Sequence, residues 1–368
     1  MRVLFVSKPI VPPFDDGSKC LVRDIAGALR VAEPTVMVSP GAPSLGPRVR
    51  REHVYGAASR FAPSGNALAF NRLMFGEPLD LWHFVFAPNA ASSSAAHVAI
   101  RSRRSRGWKG KVVQTIASHP QSFTRALFFG DRLVALSEWT RGKLLGAGIP
   151  DAIIRVIPPC AGEPAPRATR DETLARLGIE PSALGARGGP VILYPGDLHV
   201  SSGAATVALA AAEVLRAIPG ARFVFACRAK GAHAATYEAG LREALRGLEA
   251  YVHIVGSVDD MHGLVAAADI VAFPVDDLRG KVDLPIVLLE AMALGKPLVL
   301  ATGGPLDELP GVRVAPRDDV ALAQALIDLC NDEGARLHHG EIGKETWQRK
   351  HTPEVVAAQH DALYLELD

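Results

Sequence analysis

The sequence predicts an α/β protein made of two doubly wound parallel-sheet domains. Three observations lead there. Short apolar runs alternate with helical stretches along most of the chain. This alternation stops once, near residues 161–190, and then resumes. The length, 368 residues, exceeds what one domain usually holds.

In the first series, RVLFVS at Met1 to Ser7 reads as a buried parallel strand, because its apolar residues run on without alternating. A Pro/Gly/Asp loop, PIVPPFDDGSK, leads into a helical stretch, CLVRDIAGALRVA. TVMVSP, LDLWHFVF, KVVQTIAS, RLVALS and IIRVIPP supply further strands. The stretch from 161 to 190 is rich in Pro, Gly and charge and reads as a linker carrying one short helix. The second series runs VILYPGDL, ARFVFACR, YVHIVGSV, DIVAFPV and PLVLATGG, with helices between. Strands alternating with helices favour parallel sheets wound on both faces. The expected domains are 1–165, joined by a C-terminal amphipathic helix at 350–368, and 185–345. Ligands of such folds sit at the carboxyl ends of the strands.

Composition narrows the function. Apolar residues make up 48% and the net charge is +1, which fits a globular protein and argues against general nucleic-acid binding. Cys20, Cys160, Cys227 and Cys330 are widely spaced, with neither a disulfide framework nor a zinc pattern. No D-x-D pair lies in a plausible metal loop, so neither a metal nor a cofactor is expected. The opening apolar run is too short for a signal peptide, and a cytoplasmic location is expected. Arg101 to Lys111, RSRRSRGWKGK, is the one dense basic run. It reads either as a solvated helix end or as a contact to an anionic inner-membrane surface with Trp108 at the interface.

The most informative stretch is KVDLPIVLLEAMALGKP, Lys281 to Pro297. Pro285 suits a first helical position, and Gly295 with Pro297 ends the helix. Between them Glu290 is the one polar side chain. A carboxylate on an apolar helix needs hydrogen-bond donors to offset its burial.

VDDMHGLVAAADIVAFPV followed by DLPIVLLEAMALGKPLVLATGGPLDEL resembles the retaining GT-B glycosyltransferases of glycosyltransferase family 4. It is similar to that family's "aD-x-x-x-x-P" strand, loop, glutamate helix and Gly-rich turn. RLVALSEWTRGKLLGAGIPDAIIRVIPP is similar to the end of the family's first domain. The likeness covers nearly the whole chain. It implies a GT-B fold, two Rossmann-like domains facing across a cleft, and transfer of a sugar from a nucleotide sugar to a hydroxyl acceptor with retention. The alternative is a nucleotide-sugar-binding protein with little turnover. A third reading, a nucleotide-sugar epimerase, has no separate motif.

The resemblance places Glu290 at the second glutamate of an E-x7-E motif, where it would accept hydrogen bonds from ribose hydroxyls. The first glutamate would fall at Val282, a departure. Lys281 and Asp283 flank it. Asp283 either reaches the reacting groups or sits before the helix start, where the dipole favours an anion. In YPGDLHVSSGAA, Asp197 and Ser202 stand where the family carries the Arg and Lys of its diphosphate clamp. Arg228, Lys230, Lys281 and backbone N–H groups at Ser201 to Ala204 are the candidate replacements. Gly17 would let backbone approach phosphate or acceptor, and Lys19 would add charge. Asp15 and Asp16 read as ligands for acceptor hydroxyls or as turn and cap residues. His83 and His119 follow strands at positions where relatives have histidines facing the site, with His119 the better acceptor-side candidate in an exposed His-Pro loop. Gly303 and Gly304 form a turn near the donor.

Overall fold

The computed structural model describes residues 1–14, 16–56, 63–120, 122–180, 189–198, 201–228 and 234–368. The chain divides into two compact units. The first comprises Met1–Gly162, Arg279–Ile286 and Lys350–Asp368; the second comprises Glu163–Leu278 and Val287–Arg349.

The first unit holds a seven-stranded parallel sheet. Its strands are β1 (Arg2–Ile10), β2 (Glu33–Val38), β3 (Arg50–His53), β4 (Leu81–Phe86), β5 (Lys111–Ile116), β6 (Arg132–Ala135) and β7 (Ile154–Val156), in the order β3-β2-β1-β4-β5-β6-β7. Alternation within β1 sends its side chains into two different cores. Val3 and Phe5 pack with Leu21 and Ile25 of α1 (Gly17–Ala28) and with Tyr364 of α12 (Pro353–Leu365). Leu4 and Val6 pack with Trp82, Phe84 and Ile100 on the other face. Both faces are covered, so the strands read as continuous apolar runs. Each fully buried Leu, Val or Phe contributes about 1.5–3 kcal/mol relative to exposure. The linking helices α2 (Pro63–Phe75), α3 (Ala90–Ser105) and α4 (Glu138–Gly146) complete the unit.

Caps place these helices. Asp16 accepts from Ser18 N at α1, Asn89 from Ser92 N at α3, Ser137 from Thr140 N at α4, and Thr352 from Val355 N at α12. The C-terminal helix is fastened by Asp361, whose carboxylate accepts the Arg30, Val31 and Ala32 N–H groups at 2.8, 3.0 and 2.8 Å. Those groups follow α1, so one side chain closes the turn into β2.

The second unit holds a six-stranded parallel sheet. Its strands are β8 (Val191–Tyr194), β9 (Arg222–Ala226), β10 (Val252–Val255), β11 (Ile270–Phe273), β12 (Leu298–Ala301) and β13 (Val312–Val314), in the order β10-β9-β8-β11-β12-β13. Its helices are α5 (Arg170–Arg176), α6 (Gly203–Ala217), α7 (Ala234–Ala244), α8 (Met261–Ala267), α9 (Ile286–Ala293), α10 (Asp319–Asn331) and α11 (Glu333–Lys350). The Pro-rich stretch after Gly162 is no loose tether as far as residue 180. α5 starts on a capping box of Thr169 and Glu172 and buries Leu174. Among the described residues no helix is long and apolar enough to cross a membrane.

Two strands lie outside the sequence reading, β3 and β13. The basic run also behaves differently. Trp108 donates its Nε1–H to Leu79 O at 2.8 Å and packs on Trp82 at 4.2 Å between ring centroids. Arg103 is buried and donates to Leu73 O at 2.6 Å. Trp108 therefore serves the core of the first unit and is not an interfacial anchor. Arg101, Lys109 and Lys111 are exposed.

Candidate functional site

In the first unit the candidate residues converge at the carboxyl edge of the sheet. Asp16 and Gly17 follow β1, His119 follows β5 and Ser137 follows β6. The segment Arg279–Ile286 joins them there. His119 forms an isolated parallel bridge with Arg279, and this brings Asp283 to the histidine. Asp283 is fully buried. Its Oδ2 accepts a short hydrogen bond from the Ser137 hydroxyl. Its Oδ1 lies 2.7 Å from His119 Nε2, although no donor is aligned on that oxygen. Two acceptors at that distance would repel, so a proton must lie between them. His119 also stacks on Trp139, with centroids 4.6 Å apart, and its side chain is only 6% exposed. The sequence expectation of an open loop histidine is corrected: His119 is held and nearly enclosed.

The structure also places the other candidates of this unit. His83 is fully buried, with Nδ1 2.6 Å from Tyr364 OH and Nε2 2.7 Å from Thr115 Oγ1. Burial, with nearby His360, pushes its pKa well below the usual histidine value. It is a neutral core histidine, with both ring nitrogens used by the fold. Gly17 makes room for protein, since a Cβ there would lie 2.8 Å from Val282 Cγ2. Lys19 is buried and donates to Val11 O at 3.3 Å. Asp16 takes the capping role and pairs with Lys8 at 2.6 Å. Burial alone would raise the Asp16 pKa; Lys8 and Ser18 outweigh it and hold the group at about 2. Asp15 lies outside the described residues. Val282, where the resemblance asks for glutamate, is 6% exposed and belongs to the same apolar core as Leu21 and Ile25.

In the second unit, Glu290 sits on α9, and its side chain is 16% exposed. Its Oε1 lies 3.1 Å from His262 Nε2 on α8. His262 Nδ1 accepts the Ala165 N–H at 3.0 Å. The Glu290 hydrogen bond, acting against burial, raises the His262 pKa. α9 is ended by Gly295 at φ +65°, and a Cβ on Gly340 would meet Gly295 O at 2.0 Å. The close approach requires glycine at 340, and the left-handed backbone favours it at 295.

At the first position where the resemblance places the phosphate clamp, the structure holds a buried carboxylate. Asp197 is 3% exposed, and Arg228 Nη2 lies 3.7 Å from Asp197 Oδ1. Arg228 therefore partners the carboxylate that replaces the family's arginine. The N–H groups at the start of α6 are also engaged. Ser202 N donates to Asp276 Oδ1 at 3.1 Å, and Gly203 N to Ser201 Oγ at 3.2 Å. Burial alone would raise the Asp276 pKa; the Ser202 bonds and Arg317 Nε, at 2.8 Å, hold it below the usual carboxylate value. The chain's own anion thus occupies the helix terminus proposed for phosphate. Lys230 lies outside the described residues. Lys281 is half-buried in the Arg279–Ile286 segment of the first unit. Gly303 adopts φ +90° and donates its N–H to Asp307 Oδ2 at 2.9 Å. Gly304 follows with extended backbone. Among the described residues no three His, Cys, Asp or Glu side chains group to hold a metal.

Residues 189–332 match a family model described as Glycosyl transferases group 1. No curated protein sequence matches the chain significantly. Among solved structures, HepE from Anabaena in complex with UDP is 18% identical, with a TM-score of 0.75 over 100% of both chains. Sucrose-phosphate synthase from Thermosynechococcus elongatus is 18% identical, with a TM-score of 0.73 over 100% of this chain and 99% of the other. WaaG, a glycosyltransferase of lipopolysaccharide biosynthesis, is 16% identical, with a TM-score of 0.62 over 99% of each chain. The fold is GT-B. Together the family match and these neighbours support a glycosyltransferase of that fold.

Proposed function

We propose that the protein is a family 4 GT-B glycosyltransferase that moves a sugar from a nucleotide diphosphate sugar to a hydroxyl acceptor, with retention at the anomeric carbon. One observation carries the reading. Within the stretch that matches the family model, the one acidic side chain of an apolar helix keeps an accessible edge and is satisfied by a side chain, not sealed by backbone. A ribose diol supplies two donors to such a carboxylate. HepE, similar in fold, has been solved with UDP and with UDP-glucose, which supports a nucleotide sugar as the ligand here.

In this reading Glu290 binds the donor ribose and the Gly303–Gly304 turn lies near the donor. His119, oriented by Asp283 and Ser137, holds the acceptor hydroxyl. The chemistry is mostly electrostatic and positional: charge on the departing diphosphate is stabilised while the hydroxyl is held on the same face of the sugar. No metal or cofactor enters this reading. In the same reading the protein works in the cytoplasm, and Arg101–Lys111 makes a weak contact to a membrane surface.

A second reading, nucleotide-sugar binding with little turnover, is favoured by Asp197, which stands at one clamp position, and by Asp276, whose carboxylate holds the N–H of Ser202 at the other. A carboxylate about 4 Å from a diphosphate oxygen in a partly screened site opposes it by several kcal/mol. The experiment is nucleotide release from UDP-, GDP- and dTDP-sugars with and without candidate acceptors. Acceptor-dependent release with retained anomeric configuration supports transfer. Binding without release supports the second reading, and no binding at all refutes both.

A further inference from the structure

We propose that His262 is a positioning residue for the donor nucleoside: it fixes one oxygen of the Glu290 carboxylate and leaves the second for a ribose hydroxyl. The inference rests on the proposed donor role of Glu290 and adds a residue that nothing in the sequence pattern points to.

The hydrogen bonds determine the ring's proton. Ala165 N–H donates to His262 Nδ1 at 3.0 Å, so Nδ1 is an acceptor. The ring proton then resides on Nε2, which lies 3.1 Å from Glu290 Oε1. An ionised carboxylate only accepts, so the direction is fixed: His262 donates and Glu290 accepts. The ring is anchored from its other side as well. Asp260 caps α8 through Gly263 N at 2.9 Å, and its Oδ2 accepts the Arg167 N–H at 2.9 Å. Residues 165–167 are thereby tied to the start of α8, and His262 cannot swing without breaking the Ala165 bond.

Exposure separates this pair from a sealed structural one. His262 is 34% exposed and Glu290 16% at the side chain. Among the described residues no second donor reaches Glu290. The charged groups around His262 are Glu290 from α9, Asp260 from the cap of α8, and Arg167 beside Asp260. A carboxylate held by one oxygen is oriented before ligand arrives, which lowers the ordering cost of binding.

The test measures affinity for UDP, GDP and ADP, each against its 2′,3′-dideoxy counterpart, by titration calorimetry on the full chain. The wild type should favour the ribonucleotide it binds best by roughly tenfold or more, the worth of a charge-assisted hydrogen bond. His262→Ala should bring that ratio close to one while leaving the dideoxy affinity unchanged. His262→Gln, which keeps an N–H donor, should restore part of the ratio. His262→Asn, too short to reach Glu290, should behave as His262→Ala and serves if the alanine variant does not fold. A His262→Ala variant that weakens both nucleotides equally, or keeps the full ratio, would overturn the proposal while leaving the donor role of Glu290 standing. A wild type that binds no nucleotide, or ignores the missing hydroxyls, refutes the donor role itself, and this inference with it.

Discussion

Asp283 and Glu290 are seven positions apart and meet different needs. Asp283 is fully buried against Ser137 and His119. Removing one member of a buried charged cluster leaves the rest uncompensated and costs about 3–5 kcal/mol. Asp283→Ala should therefore lower stability by about that amount in urea denaturation. A loss under about 1 kcal/mol would contradict the buried cluster. Glu290 is only partly enclosed, so Glu290→Gln should leave stability within about 1 kcal/mol while weakening nucleotide binding. Sequence reasoning reached Glu290 because a charge in an apolar run is conspicuous, and Asp283 because it stands beside the position where the resemblance asks for a glutamate. It did not reach His262. That histidine meets Glu290 only once α8 and α9 are packed, and its own helix shows no unusual pattern. Asp276 was missed for the same reason.

At the scale of elements, the Arg279–Ile286 segment decides how this chain departs from its resemblance. Val282 fills the core beneath Gly17, where a methyl group would be 2.8 Å from its Cγ2. Gly17→Ala should cost about 1–3 kcal/mol by overpacking. The Gly17→Ala/Val282→Ala double variant should lose less than the sum of the two single losses, a coupling read from a double-mutant cycle. Restoring the family's glutamate as Val282→Glu should destabilise the first unit without raising nucleotide release, because position 282 lies in an apolar core. Increased release in that variant would show that the side chain reaches the donor. The parallel strands were legible because both their faces are buried, so apolar runs stand out. β3 was not. Its Arg50–His53 residues are charged and mostly exposed at a sheet edge, where no apolar run is needed. β13 spans only Val312–Val314, too few residues to show a period.

For the whole molecule, the C-terminal helix carries a pH dependence into the first unit. His83 and His360 are fully buried around Tyr364. Burial lowers the His360 pKa from 6.5 to about 4. The unfolded chain then binds more protons than the folded one between those values, and stability falls as pH falls. Stability should be complete above about pH 6.5 and lose about 3 kcal/mol from His360 by about pH 4. Melting temperatures across that range check this, and His360→Phe should flatten the slope. A slope unchanged in that variant would remove His360 as its source.

The central claim is that Glu290 holds a nucleotide through its ribose. Calorimetric titration of nucleoside diphosphates into the wild type and Glu290→Ala tests it most directly. The wild type should bind, and the variant should lose roughly tenfold or more in affinity, the worth of the charge-assisted bonds removed. Equal affinity in the two proteins, with both folded, would contradict it.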